Sequence, residues 1–541
     1  MDETTQPLSL NERVWWALAY ASLLYFGYNY LAEDSSTRLA LFGFGVVVLS
    51  LVAIGTSLAV SHHRAGLVHL VIISLATLAG TLASVGNAVT TDEGSLATAA
   101  ARLLAHGHNP YGVNLATHAA LSHTPPQLMT YLLNGTHVTT FTYPAGVLWP
   151  LALITFATVT HATIVLNTLA WTLAGLVLYA YLPRPMKPLS AVLLLTPMFL
   201  YTFTGNDLSS VMIAPLIVAF GELPHFVAGT GSRWRRLLGP LALGVAIAIK
   251  PIPVIFLPFI VAAILIESPG AVRDRMRHAT HYTLLTVASF MALNLPFVVA
   301  NPVSWFRGMA QDMTTRMAPS GVGVAGLFSA GLVHRINYSY VSLSSFVFLG
   351  VVLAAVVGWY PHLRRAWPAL APLFFIFESR SFWSYFMAGL GAALVYALTL
   401  PAPPEARPTP YRIARLSRLA VVVGSGVVAL ALAGSLTATT ISVAVDGGTA
   451  SPSGYLSGVR ITLDNYSEAP TTVVVRAVAM AGGIANAPWY VDATTGRDTI
   501  TIPARTRLSV ALRATTLLVP VHSAWRVEVA SPNQIVSSAT Y

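Results

Sequence analysis

The segment RWRRLLGPLALGVAIAIKPIPVIFLPFIVAAILIESPGAVRDRMR, residues 233–277, decides how this chain is organised. Hydropathy alone fuses Leu237 to Glu267 into one apolar run. Arg233, Arg235 and Arg236 precede that run and Arg273, Arg275 and Arg277 follow it, and basic residues beside membrane spans gather on the cytoplasmic side. Both ends therefore face the cytoplasm and the chain turns back, with Lys250-Pro251 as the turning point. The same argument splits Trp367 to Leu400, between Arg364/Arg365 and the run Arg407, Arg412, Arg415, Arg418; the turn there is Glu378-Ser379-Arg380-Ser381.

Composition agrees with a membrane reading. The 541 residues are 55% hydrophobic and only 9% charged, against roughly 25% charged in a soluble domain. Lys and Arg number 30 and Asp and Glu 20, a net charge of +10, but the basic residues recur in short clusters between apolar runs. That pattern reports topology and not nucleic-acid binding. Cysteine is absent, which excludes disulfides, thiolate nucleophiles and Cys-ligated metals. High apolar content without a three-residue or heptad repeat excludes disordered, collagen-like and coiled-coil chains. Met1 to Arg13 carries Asp2, Glu3 and Glu12 with a single Arg, so it lacks the basic start of a cleavable signal peptide and the first apolar run is expected to stay as a helix.

A span needs about 20 mostly apolar residues, fewer where protein replaces lipid around it. The runs are Val14–Ala32, Leu39–Val60, Leu67–Val85, Ala162–Leu182, Leu189–Phe203, Ser209–Leu223, Leu237–Lys250, Ile252–Glu267, Thr283–Ala300, Tyr340–Tyr360, Trp367–Phe377, Phe382–Leu400 and Leu419–Leu436, which gives 13 crossings. With Arg64 and Arg184/Lys187 also inside, the N-terminus lies in the cytoplasm and the C-terminus outside. Asn87 to Gly146, Gly205 to Leu208, Lys250, Asn301 to Ser339 and Glu378 to Ser381 then share the outer side. Tyr143 to Ala157 reads as a partial or interfacial helix, because a crossing there would break this parity. The outer loop before it, residues 87–146, has an amphipathic stretch around Leu96 to Ala105 and is expected to lie on the membrane surface.

From about Thr437 the composition changes. Leu456–Asp464, Thr471–Met480, Thr499–Pro503 and Arg507–Ala514 alternate apolar and polar residues, with Gly, Pro and Asn between them. The expected fold is a polytopic α-helical membrane protein, a membrane domain of residues 1–436 followed by an extracytoplasmic antiparallel β-sandwich of residues 437–541. That second region carries Arg460, Arg476, Arg505, Arg507 and Arg513 but no clustered carboxylates, so it is expected to be an accessory module. A chain truncated after about residue 400 is then expected to keep its chemistry.

Ionisable groups beside spans are costly and mark candidate function. Asp92 and Glu93 sit just past the third run, Gly107-His108-Asn109-Pro110-Tyr111 follows, and Phe141-Thr142-Tyr143-Pro144-Ala145 re-enters the apolar region. Further on stand Gly205-Asn206-Asp207, Ile249-Lys250-Pro251, and Asn294-Leu295-Pro296-Phe297 ahead of Trp305. Over roughly Ser84 to Leu400 this set resembles the GT-C superfamily of membrane glycosyltransferases, and within it the actinobacterial mannosyltransferases and arabinofuranosyltransferases. In that branch an acidic residue opens the first large outer loop, a Gly-x-Asn-Pro-Tyr segment follows, and a Tyr-Pro-Pro segment starts the next helix; here the last reads Tyr143-Pro144-Ala145. The first two runs and the strand-like region lie outside the resemblance.

The resemblance implies an inverting enzyme that moves mannose or arabinofuranose from a polyprenyl-phosphate donor to a cell-envelope glycan or glycolipid, outside the cytoplasmic membrane, with no metal or other cofactor. The residues suit that chemistry. An acceptor hydroxyl needs a general base, for which Asp92 is the candidate beside Glu93. A departing lipid phosphate needs a fixed cation, and Lys250 and Arg380 occupy outer turns between short apolar helices. His108, Asn109, Tyr111, Tyr143, Asp207, Trp305 and Tyr385 are candidates for binding sugar or acceptor, with Trp383 a further aromatic. His106, His108, His118 and His123 match no metal-ligand spacing. Two other functions share this architecture: a transporter or flippase of lipid-linked sugar, and a polymerase or ligase of lipid-linked glycans. The chain's lack of cysteine makes the topology testable. A single cysteine at 250 or 380 is expected to react with an impermeant maleimide from the outer side, and labelling only from the cytoplasm would reverse the topology.

Overall fold

The computed structural model describes residues 6–32, 37–84, 91–118, 124, 129–157, 162–191, 207–314, 317–378, 380–401, 411–479, 489–514 and 519–539. The chain is mostly helical up to Thr437 and strand-rich after it. Among the described residues six helices are long and apolar enough to cross a membrane: Ala40–Ala59, Ala162–Tyr181, Leu208–Ala228, Val272–Ala300, Tyr338–Gly358 and Ile413–Thr437. This is a multi-pass membrane protein. Of the other expected runs, most of Leu189–Phe203 lies outside the described residues, as do Gly205 and Asn206, Ser379 and His123.

The segment that opened the sequence reading forms two helices, Arg233–Ile249 and Leu257–Glu267, broken at Lys250-Pro251. Lys250 is in extended conformation, φ −147° and ψ 140°, as expected of a residue before proline. The second split also falls where the Arg clusters put it. Trp367–Phe377 ends at Glu378, and helical structure resumes at Trp383–Ala388 and Leu390–Thr399. At the end away from Lys250, Arg364 grips Glu267 through Nε at 2.5 Å and Nη2 at 2.9 Å, Tyr360 donates to the same carboxylate at 2.6 Å, and Arg364 Nη1 reaches the Pro401 carbonyl at 2.8 Å. Glu267 thereby joins the two broken pairs at one end.

After Pro144 the chain makes one tight turn, Ala145–Val147, and a helix of nine residues, Leu148–Phe156. At 1.5 Å per residue that helix is about 14 Å long, half of a hydrocarbon core of about 30 Å. The Asp92–Ala105 helix buries Leu96, Ala97, Ala100 and Ala101, the face that packs against Leu148–Phe156.

Three strands lie within the helical part: β1 (Ser320–Gly321), β2 (Arg335–Asn337) and β3 (Arg380–Ser381). Eight follow it: β4 (Ile441–Ala450), β5 (Leu456–Asn465), β6 (Thr471–Ala479), β7 (Trp489–Asp492), β8 (Ile500–Ile502), β9 (Arg507–Ala514), β10 (Trp525–Ser531) and β11 (Gln534–Ser537). Hydrogen bonds run β2-β11-β10-β6-β7-β9-β5-β4 in a single antiparallel path, with β8 added on β6. The path curls so that β4 comes beside β10 and β11 around Ile441, Ile461, Leu463, Val475, Val527 and Val529. Strands begin in the chain near residue 437, but the sheet itself recruits Arg335–Asn337 through Ile336↔Ile535.

The outer face of β6, β10 and β11 packs on the helical part. Val474, Ala530 and Ile535 share one buried cluster with Tyr131, Leu133, Val324, Phe328 and Tyr338. Beside it, buried Glu528 accepts from Arg476 Nε at 2.6 Å and Arg526 Nη2 at 2.6 Å, and the Arg526 guanidinium lies 4.8 Å from the Phe328 ring centre. The strand-rich region is therefore a packed wall against the helical part and not a tethered appendage. Truncation after residue 400 removes that wall, so the expectation that the remainder stays intact does not follow from this packing. Ile535→Asp, which puts a charge into the shared cluster, is expected to cost roughly 3 kcal/mol or more, read as a lower melting temperature of the whole protein in detergent. An unchanged melt would mean that the two parts fold independently.

Candidate functional site

Glu93, Asp207 and Lys250 come from three separate places in the chain and meet in one contact. Glu93 occupies the first turn of the Asp92–Ala105 helix, whose N-cap Thr91 accepts from Gly94 N. Asp207 caps the turn Leu208–Met212 by accepting from Ser209 N at 2.8 Å. Lys250 closes the Arg233–Ile249 helix. Its Nζ donates to Glu93 Oε1 at 3.0 Å, Asp207 Oδ1 at 2.9 Å and Ser209 Oγ at 3.0 Å, while the Tyr143 and Tyr385 ring centres lie 5.2 and 5.4 Å away. An ammonium has three N–H donors, and these three oxygens use them all. Ser209 Oγ donates onward to Asp207 Oδ1 at 2.5 Å.

Lys250 is 2% exposed, and an unpaired cation there would be strongly disfavoured. Two carboxylates around one ammonium leave a surplus negative charge, and the pair responds unequally. Burial pushes the Glu93 carboxyl up to about 7, against the pull of Lys250 and with Asp207 adding to the rise. Burial acts in the same direction on Asp207, but Lys250 and the Ser209 hydrogen bonds outweigh it and hold that carboxyl below its ordinary range.

The contact forms the floor of a cavity of about 220 Å³. Asp92 lines it, 8% exposed, with Oδ2 accepting from Thr130 N at 2.5 Å and Oδ1 from Glu93 N at 2.9 Å. Arg380 and Glu378 also line it, with Phe375, Phe382, Ile252, Leu96 and Met317 as apolar lining. Arg380 makes no ion pair among the described residues. Its guanidinium sits 5.0 Å from the Phe382 ring centre, with Nη1 3.9 Å from Met317 Sδ. Burial raises the Glu378 carboxyl, which Ser345 hydrogen-bonds.

Two close backbone approaches fix this lining. A Cβ at Gly146 would lie 2.5 Å from the Ala248 carbonyl oxygen, so only glycine lets the turn after Tyr143 settle against the chain leading into Lys250. Gly321 has φ +105° and lies against the Ser381 backbone. It allows β1 to pair with β3 through Ser320↔Arg380, which anchors the backbone that carries Arg380.

Some sequence candidates support the cavity without lining it. Asn109 Oδ1 accepts from Tyr111 N at 3.0 Å, and the buried Tyr111 hydroxyl donates to the Tyr143 carbonyl at 2.8 Å. Trp305 Nε1 donates at 3.2 Å to Asn294 Oδ1, which also accepts from Ala145 N at 2.9 Å. Asn109, Tyr111 and Trp305 thus brace the Tyr143 segment, and His108 is exposed on the turn before it. Tyr143 and Tyr385 do line the cavity. Sequence reading passed over Ser209 and the bracing role of Asn294, although Asp207-x-Ser209 is a capping pattern that identifies the first. It also assigned Lys250 to a donor phosphate, whereas the Lys250 donors are already taken by Glu93, Asp207 and Ser209.

Comparison with protein families, curated proteins and solved structures gives no match to this chain. The site therefore stands on its geometry. A difference infrared titration is expected to show a carboxyl band, absent in Glu93→Gln, with a midpoint near pH 7. In Lys250→Met, which removes the charge that favours the carboxylate, the midpoint should move upward. A Glu93 midpoint near 4 in the unaltered protein would contradict this electrostatic account.

Proposed function

We propose that this chain is an inverting, metal-independent glycosyltransferase that moves a sugar from a polyprenyl-phosphate donor to a cell-envelope glycan or glycolipid. The carrying observation is one cavity that joins a carboxylate held by backbone donors, Asp92, with an arginine that has no ion pair among the described residues, Arg380, and apolar lining. A lipid-linked sugar phosphate has matching parts. Its chain lies along Phe375, Phe382 and Ile252, its phosphate meets Arg380, and its sugar sits between Asp92 and the tyrosines.

In the reaction, Asp92 accepts the proton of the acceptor hydroxyl as the new bond forms at the anomeric carbon. The bond from that carbon to the phosphate oxygen breaks on the opposite face, and polyprenyl phosphate departs with its added charge facing Arg380. Lys250 acts at one remove. It holds Glu93 and Asp207, and through Glu93 the turn that presents Asp92. The proposed topology has 13 crossings, an N-terminus in the cytoplasm, the cavity outside, and residues 437–541 as an outer β-sandwich. Mannose and arabinofuranose are the proposed donor sugars, on the resemblance of the motifs.

The test is transfer from radiolabelled polyprenyl-phosphate sugar by purified protein in membranes. Asp92→Asn is expected to lose at least about 10²-fold in turnover. Arg380→Gln, which removes a charged hydrogen bond, is expected to raise the donor KM by roughly tenfold or more. Full activity of Asp92→Asn would remove the base from this mechanism, and uptake into vesicles without transfer would point to a transporter.

A further inference from the structure

A second cavity, about 360 Å³, lies at the end of the membrane helices away from Lys250. The Ala65–Ser84 helix begins beside it and runs toward Asp92, and the Ala162–Tyr181 helix ends at it. At 1.5 Å per residue a 20-residue helix covers about 30 Å, so the two cavities open at opposite faces of the bilayer.

The walls of this cavity are fixed. Trp16 stacks near His69, centroids 5.1 Å apart, and His69 Nδ1 bonds the Tyr20 hydroxyl at 2.7 Å. Arg184 Nε bonds Glu12 Oε1 at 3.0 Å and its Nη2 reaches the carbonyls of Gln6 and Pro7 at 2.6 and 3.0 Å, which ties the incoming chain to the cavity rim. Glu12 is thereby matched by Arg184. Lys187 is left over. Its Nζ lies 4.3 Å from the Tyr179 ring centre, and no carboxylate pairs with it among the described residues. Burial, with Arg184 nearby, pushes the Lys187 ammonium below its ordinary value, and His63 also lines the rim, its charged form disfavoured by desolvation and by the neighbouring His62 and Arg64.

We propose that this cavity binds the phosphodiester headgroup of an anionic membrane phospholipid, with Lys187 facing the phosphate and Tyr179 beside the glycerol. A basic pocket between helices at the membrane surface meets the high local concentration of anionic headgroups there. A headgroup so placed joins the first helix to the Ala162–Tyr181 helix. The inference does not depend on the proposed reaction, and either can fail without the other.

The test is native mass spectrometry of the full chain in detergent with phosphatidylglycerol or phosphatidylcholine. Phosphatidylglycerol is expected to be retained, and Lys187→Gln to weaken retention by about fivefold, with Lys187→Arg restoring it and the melting temperature unchanged. Equal retention of phosphatidylcholine, full retention by Lys187→Gln, or displacement by millimolar inorganic phosphate would overturn the proposal. Should Lys187→Gln not fold, photolabelling of the unaltered protein with an azide-bearing phosphatidylglycerol decides. Label is expected on peptides containing Trp16 or residues 179–187, and label only elsewhere refutes the site.

Discussion

A buried lysine ammonium must have its charge matched and its donors filled, and much of this protein is arranged around that requirement at Lys250. Taking an ion out of water costs several kcal/mol even after relaxation. Glu93, Asp207 and Ser209 meet that cost together, each within 3.0 Å of Nζ. Because Glu93 stands at the start of the Asp92–Ala105 helix, Asp207 and Ser209 at the start of the Leu208–Ala228 helix, and Lys250 at the break of a helix pair, the contact fixes three chain segments relative to one another. The shape of the cavity follows from that fixing. So does the identity of the available cation, since with Lys250 internally matched the charge facing the cavity belongs to Arg380.

The helical plan was legible in the sequence wherever apolar runs met clusters of arginine. Both helix breaks, at Lys250-Pro251 and at Glu378 to Ser381, could be placed because arginines at both ends of a long apolar run argued for a chain that turns back. Asp92, Glu93, Lys250, Arg380, Tyr143 and Tyr385 were legible as cavity residues because charged and amphipathic side chains at span ends are few in so apolar a chain. Their division of labour was not. Adjacent carboxylates at positions 92 and 93 look alike in sequence, and only the helical turn sends one to Thr130 and the other to Lys250. The two-residue strands β1 and β3 carry no periodicity to read, and neither does the recruitment of Arg335–Asn337 by strands 200 residues later. Tyr111 and Trp305 resembled sugar-binding aromatics, yet their polar atoms are hydrogen-bonded to the Tyr143 carbonyl and to Asn294.

The strand-rich region acquires a physical role from this packing. It covers Tyr131, Phe328 and Tyr338, and Leu132 bridges to Met317 beneath it. Thr130, which holds Asp92, and Met317, which borders Arg380, therefore belong to the same layer that the sheet braces. On the proposed function, the sheet keeps the base and the phosphate-binding arginine at a constant separation while the broken helices supply the floor.

The most direct measurement is a density map of the protein in lipid nanodiscs with a bound polyprenyl-phosphate sugar. The account predicts the donor phosphate within hydrogen-bond distance of Arg380, the anomeric carbon facing Asp92, and Lys250 still bonded to Glu93 and Asp207. A phosphate seated on Lys250 with Glu93 displaced, or donor density away from this cavity altogether, would contradict it.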